Sequence, residues 1–245
     1  MRQRHKKPAA AVLFALTLFI AGCGMIGDQR TPEEWLSLSY SGLAATDQYA
    51  FTGSMSIKTE DGLAFKPETF EGKVIDHQQL TLQTNSADPL HWNPVQVLET
   101  LNQTNENVRI AAAGNDPDTV TLIIKESASV SKERWRERLN MQLDQLMANR
   151  PAEDRPYHQE WTEEFSRSRK QLDDMLASLQ ADTEYELIID RDRLLPLKME
   201  EKTSFRYRNE QKPYSETRFT TVRFQSFNGA SSESVQQKRK HVTID

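Results

Sequence analysis

The sequence predicts an α+β fold in which a strongly curved antiparallel sheet carries helices on one side. Three observations predict it. Apolar residues alternate at period two in short blocks bounded by turn residues. Helical segments with recognisable starts interrupt those blocks. The strand pattern resumes after the helix opened by Asn93-Pro94, an interruption that argues for a curved sheet carrying helices and against a sandwich.

After a short tether from Gly24 to Arg30, Thr31 can cap a helix, Pro32 suits its first position, and Glu34 stands where a capping-box partner is expected. Leu36, Tyr40 and Leu43 share one face, with Trp35 beside them, and the helix is expected to end near Ala45. From Tyr49 the period changes. Tyr49, Phe51, Gly53, Met55 and Ile57 alternate with small or polar residues, Asp61-Gly62 marks a turn, and Phe70, Gly72, Val74, Leu80 and Leu82 continue the meander. Asn93-Pro94 opens a second helix that buries Val97, Leu98 and Leu101. Two strands follow, one with Val108 and Ile110 and one with Val120, Leu122 and Ile124, around the turn-rich segment 114–117.

Residues 131–180 predict a helical hairpin. One stripe holds Trp135, Leu139, Leu143, Leu146 and Met147; the next holds Trp161, Phe165, Leu172, Met175, Leu176 and Leu179. The outer faces mix Lys, Arg and Glu, the pattern of a solvated helix surface. Strands then recur through Tyr185, Leu187 and Ile189, through Leu195, Leu197 and Met199 continuing to Thr203, Phe205 and Tyr207, and finally through Phe219, Thr221, Val222 and Phe224. The segment 228–245 is a polar tail expected to be poorly ordered.

The N-terminus has a separate logic. Arg2, Arg4, Lys6 and Lys7 precede an apolar run from Pro8 to Ala21, which is short for a bilayer span of about 20 residues. Residues 1–22 therefore read as a signal peptide and residues 23–30 as a lipidated tether. The tetrad Ile20-Ala21-Gly22-Cys23 resembles the bacterial lipobox, and that resemblance implies a diacylglyceryl group, with or without an added N-acyl group, on Cys23, the single cysteine of the 245-residue chain. Two acyl chains suffice for stable anchoring where one does not. The expected location is the extracytoplasmic side of the cell membrane. Without residues 1–22 the chain loses four of its 31 Lys and Arg and none of its 36 Asp and Glu, leaving a net charge of about −9. Such a body disfavours nucleic acid, and attachment should depend on the acyl chains.

Residues that could carry chemistry are sparse. HExxH, GxSxG and a phosphate-cradling glycine loop are all missing from the sequence, and its histidines do not pair at metal-ligand spacing. No catalytic residue, metal or dissociable cofactor is expected, and the chain does not read as an enzyme. Asp116 with Asp118, and Asp190 with Asp192, sit where hairpin turns are expected and read as turn residues.

The opening strand Tyr49-Ala50-Phe51-Thr52-Gly53-Ser54-Met55-Ser56-Ile57, the strand from Tyr185 to Asp190, the stretch Leu195-Pro196-Leu197-Lys198-Met199 and the final hairpin resemble bacterial lipoproteins of the LolA/LppX-like superfamily. The resemblance covers roughly residues 31–227, and the long segment 131–180 departs from compact members. It implies a half-barrel whose apolar concave side is closed by helices and holds a lipid or acyl ligand. On that reading Phe51, Met55 and Ile57 from the sheet and Trp161, Phe165, Leu172 and Met175 from the lid line the cleft. A non-enzymatic, surface-tethered interaction or assembly factor with a protein partner in the cell envelope is the alternative. An exposed apolar patch would favour that alternative, and an internal cavity would favour the lipid.

Overall fold

The computed structural model describes residues 30–77, 79–84, 93–112 and 116–229. The expectations for residues 1–22, for Cys23, for the turn residues 114 and 115 and for the tail from 230 onward lie outside the described residues. Chain contacts divide the protein between Thr31 and Pro32, and every element below belongs to the second unit. None of the described helices is long and apolar enough to cross a membrane.

Among the described residues the fold is α+β: four α-helices and an open, eight-stranded antiparallel sheet. In chain order the elements are α1 (Pro32–Ala44), β1 (Tyr49–Thr59), β2 (Glu68–Ile75), β3 (Gln79–Thr84), α2 (Pro94–Thr104), β4 (Asn105–Ile110), β5 (Thr119–Glu126), α3 (Ala128–Ala148), α4 (His158–Ser178), β6 (Gln180–Asp190), β7 (Pro196–Asn209) and β8 (Lys212–Gln225). Across the sheet the strands run β3-β2-β1-β8-β7-β6-β5-β4. The first strand thus pairs with the last. β3 and β4, consecutive in the chain, occupy opposite edges, so the segment between them must cross the sheet. α2 makes part of that crossing and packs on α1, β4 and β5.

Local chemistry sets the elements as expected at several points. Asn93 caps α2, its Oδ1 accepting from Val95 N at 3.1 Å, and Pro94 follows in the first turn. Leu98 and Leu101 are buried beneath that helix. Both carboxylate pairs resolve into turns: Asp190 Oδ1 accepts from Asp192 N and Arg193 N at 3.0 and 2.9 Å, and Asp116 Oδ1 accepts from Asp118 N at 3.0 Å.

Register places one residue of every two on the covered face. Val222 pairs with Met199, Met199 with Leu187 and Leu187 with Leu122, so one apolar row crosses four strands, and Phe51 pairs with Phe224 one rung along on the same face. With Trp35, Leu36 and Leu43 of α1 and Leu98 and Leu101 of α2, these residues form the larger core. A second, smaller cluster joins Trp135 of α3, Leu176 of α4, Leu179, Ala181 of β6 and Phe205 of β7. Burial of one such side chain stabilises the fold by roughly 1.5–3 kcal/mol, which is why the alternation was readable.

Two glycines are required by close approach. Gly72 lies opposite Phe51 and Gly53 opposite Phe70 in the β1–β2 register. A Cβ on Gly72 would stand 2.2 Å from Phe51 Cζ; one on Gly53 would stand 2.2 Å from Phe70 Cζ and 2.7 Å from Thr221 O. Each aromatic ring covers the glycine across from it.

Two faces differ from expectation. In β8 the inward residues are Arg218, Thr220, Val222 and Phe224, while Phe219 is 40% exposed. Pairing of Met55 with Thr220 and Gly53 with Val222 fixes that phase, and the aromatic residue at 219 falls outside it. In α3 the stripe holds through Trp135 and Leu143, but Leu146 and Met147 are exposed. Helical spacing puts them near one face without supplying a surface to cover them.

Candidate functional site

Polar residues occupy the middle of the covered face, where the alternation would otherwise place apolar ones. Thr220 of β8 pairs with Glu201 of β7, and Glu201 with Tyr185 of β6; one rung further, Arg218 pairs with Thr203, and Thr203 with Thr183. Glu126 ends β5 on the same face, and Ser131 stands at the first turns of α3. This belt separates the larger core from the cluster under α3 and α4.

Its hydrogen bonds form two connected sets. Ser131 Oγ and Thr183 Oγ1 are 2.6 Å apart, Thr183 Oγ1 and Thr203 Oγ1 are 3.0 Å apart, and Thr203 Oγ1 donates to Glu201 Oε1 at 3.1 Å. Arg134 of α3 donates from Nε to Glu126 Oε1 at 3.2 Å and from Nη2 to Glu126 Oε2 at 2.9 Å. Its Nη2 also donates to Glu201 Oε1 at 3.2 Å. Glu126 and Glu201 are almost fully buried, at 1% and 7% side-chain exposure, whereas Arg134 retains 29%. A buried carboxylate is tolerated only when paired and hydrogen-bonded, and one guanidinium serves both.

The electrostatics follow from this packing. Burial alone disfavours the charged guanidinium, but the neighbouring acidic groups Tyr185, Glu201 and Glu126 outweigh it and raise the Arg134 pKa. Burial pushes the Tyr185 phenol well above its ordinary value, and the negative charge of Glu201 adds to the shift. The arginine is therefore a fixed cation and the tyrosine a fixed neutral donor. Trp135, beside Arg134, is enclosed by Phe205 edge-on at 4.9 Å and by the guanidinium carbons of Arg218, Arg138 and Arg134 at 4.7, 4.9 and 5.4 Å from its ring centre. Such contacts hold α3 on the sheet.

A cleft opens above this belt. Its volume is about 180 Å³, and it is lined by Asn93, Gln96, Val97, Thr100 and Leu101 of the α2 segment together with Glu126, Arg134 and Tyr185. Nothing in it pairs a nucleophile with a base: Ser131 is buried and bonded to Thr183, and the lining has no histidine. Among the described residues no group of three or more His, Cys, Asp or Glu could hold a metal ion.

The second feature is apolar and lies on α3 and α4. Met141, Leu146 and Met147 are 53%, 58% and 40% exposed. Trp161 and Phe165 of α4 stack with ring centres 5.2 Å apart and are only half-buried. Arg169 hydrogen-bonds Asn140 at 3.2 Å and pairs with Asp144. One turn beyond that contact, toward the connecting segment, the two helices carry Met147 and Phe165.

The structure divides the seven residues expected to line one cleft. Phe51 and Met55 are buried in the larger core, and Ile57 is half-buried on β1 outside both clusters. Leu172 packs against the second cluster, while Trp161, Phe165 and Met175 are half-buried along α4. β8 lies between β1 and β7, the strand on which α4 packs. Sequence reasoning missed the polar belt altogether. A signal was present: Glu126, Thr183, Glu201, Thr203, Arg218 and Thr220 each fall on the apolar phase of their strand.

No family model matches the chain, and no curated protein matches it in sequence. Among solved structures, a tesB protein of Mycobacterium avium subspecies paratuberculosis is 6% identical over 78% of this chain and 84% of its own, with a TM-score of 0.13. The acyl-CoA thioesterase II TesB2 of Mycobacterium marinum is 9% identical over 80% of this chain and 90% of its own, with a TM-score of 0.12. Likeness of that order carries no argument about fold or chemistry.

Proposed function

We propose that this chain is a lipid-anchored, non-enzymatic protein of the bacterial cell envelope. On this reading a diacylglyceryl group on Cys23 holds it at the extracytoplasmic face of the membrane, the sheet curves as a half-barrel, and α3 and α4 form a helical hairpin over it. The ligand is a lipid or another hydrophobic molecule, taken up along α3 and α4.

The observation that carries the reading is the apolar surface left uncovered on those helices: exposed Met141, Leu146 and Met147 and the half-buried Trp161–Phe165 stack. Exposed large apolar residues grouped on neighbouring elements mark binding surfaces. Methionine adapts to varied apolar partners, and each methylene of a chain buried there would gain about 0.8 kcal/mol. Phe51 and Met55 belong to a filled core, so the ligand site rests on Trp161, Phe165, Leu172 and Met175 rather than on the sheet residues. An envelope protein docking on the same surface is the second reading, favoured by the exposure of Leu146 and Met147.

A dansyl-labelled fatty acid titrated into protein beginning at residue 24 tests the proposal. The expected result is saturable one-to-one binding with a blue-shifted dansyl signal, weakened about tenfold, roughly 1.4 kcal/mol, by Met147→Ser combined with Phe165→Ser. Equal binding by the variant, or none by either protein, would count against it.

A further inference from the structure

The cleft above the polar belt is independent of the apolar surface on α3 and α4, and its chemistry is different. Arg134 is held by two buried carboxylates through bonds from Nε and Nη2, and it also lines the cleft. The remaining walls are the neutral amides Asn93 and Gln96, the hydroxyl of Thr100, and the apolar side chains Val97 and Leu101.

Two quantities narrow what could enter. The first is charge. The two charged lining residues, Glu126 and Arg134, cancel, so the cleft favours neither an anion nor a cation. A free cation would meet carboxylates whose nearest oxygens already accept from Arg134, so it gains little there. The second is size. About 180 Å³ holds on the order of six waters at roughly 30 Å³ each, the scale of a single small ring and well below a drug-sized ligand.

We infer that this cleft binds a neutral group bearing hydroxyls and an amide, of which an N-acetylated sugar unit is the chemical type. Arg134 Nη1 donates to an acceptor on the ligand, Gln96 and Thr100 exchange hydrogen bonds with its hydroxyl or amide groups, and Val97 with Leu101 covers its apolar face. Preorganisation comes from the pinned guanidinium, which spends no side-chain freedom on binding.

The test uses the full-length chain in detergent micelles and four probes: N-acetylglucosamine, its β-1,4-linked trimer, sodium acetate and tetramethylammonium chloride. The expected result is saturable perturbation of the backbone amide resonances of Gln96, Val97 and Thr100 by the first two and none by the ionic probes. Gln96→Trp, which fills the cleft from an exposed position, should weaken binding about tenfold or more. Thr100→Val, which keeps the shape and removes a hydroxyl, should weaken it about threefold. Tighter binding of the trimer assigns the site to a unit within a glycan chain, and equal binding assigns it to a free sugar; both support the inference. Perturbation by acetate or tetramethylammonium equal to that by the sugars would overturn it. So would an absence of sugar binding, or unchanged binding in a folded Gln96→Trp protein.

Discussion

Arg134→Met is expected to cost the fold about 3–5 kcal/mol at pH 7.5, measured by urea unfolding. The methionine retains most of the apolar stem, so the loss comes from the charges it strands. Glu126 and Glu201 are almost fully buried, and both have Arg134 as their cation. Carboxylates buried without their cation are costly, and that cost dominates the loss. Arg138 lies over the same Trp135 ring, its guanidinium carbon 4.9 Å from the ring centre. Arg138→Met removes that contact and is expected to cost about 1 kcal/mol. Replacing the triad together, with Arg134→Met, Glu126→Leu and Glu201→Leu, should restore most of the stability. A loss below about 1 kcal/mol for Arg134→Met, or no recovery of stability in the triple variant, would show that the belt is solvated and not a buried ion network.

Gly72→Ala should also destabilise, against the ordinary preference of a strand interior for alanine over glycine. The new Cβ would stand 2.2 Å from Phe51 Cζ, and Phe51 is fully buried, so its ring cannot swing into solvent. Overpacking of this kind costs about 1–3 kcal/mol, and Gly72→Val should sit at or beyond the top of that range. Shortening the ring side chain should relieve the clash: the Gly72→Ala, Phe51→Leu double variant is expected to lose at least about 1 kcal/mol less than the two single losses combined. Additive losses in denaturant unfolding would show that the two side chains do not meet.

How much of this was legible in the sequence depends on the range of the interaction involved. Asn93-Pro94 announced α2 because a cap and a first-turn proline act within three residues, and Asp190 announced its turn for the same reason. Alternation from Tyr49 to Met55 announced β1 because one covered face filters every second residue. β8 was harder. Phe219 and Thr221 compete with Arg218 and Thr220 for the covered face, and only pairing with β1 and β7 decides between them. The stripe on α3 was read as continuous, yet whether Leu146 has anything to pack against is a tertiary fact.

The belt was the most consequential omission. Glu201 and Arg218 are of types usually exposed and were left out of the strand pattern. Their phase said otherwise, since Glu201 shares it with Met199 and Phe205 in β7 and Arg218 with Val222 and Phe224 in β8. What accommodates Glu201 and Thr203 is a cation from α3 and a hydroxyl from β6, some 20 to 70 residues away in the chain. The place of β8 between β1 and β7 was hidden for a related reason, since no local pattern states that a late strand pairs with the first. The lipid attachment proposed at Cys23 rests on the sequence alone and would set the compartment, while the proposed ligand would sit elsewhere.

Native mass spectrometry of the protein beginning at residue 24, expressed in bacteria and purified without detergent, tests the hydrophobic-ligand claim most directly. The expected spectrum shows a stoichiometric adduct with the mass of a lipid or acyl compound, lost in the Met147→Ser, Phe165→Ser variant. A single bare mass for the parent protein, unchanged when lipid extract is added back, would contradict it.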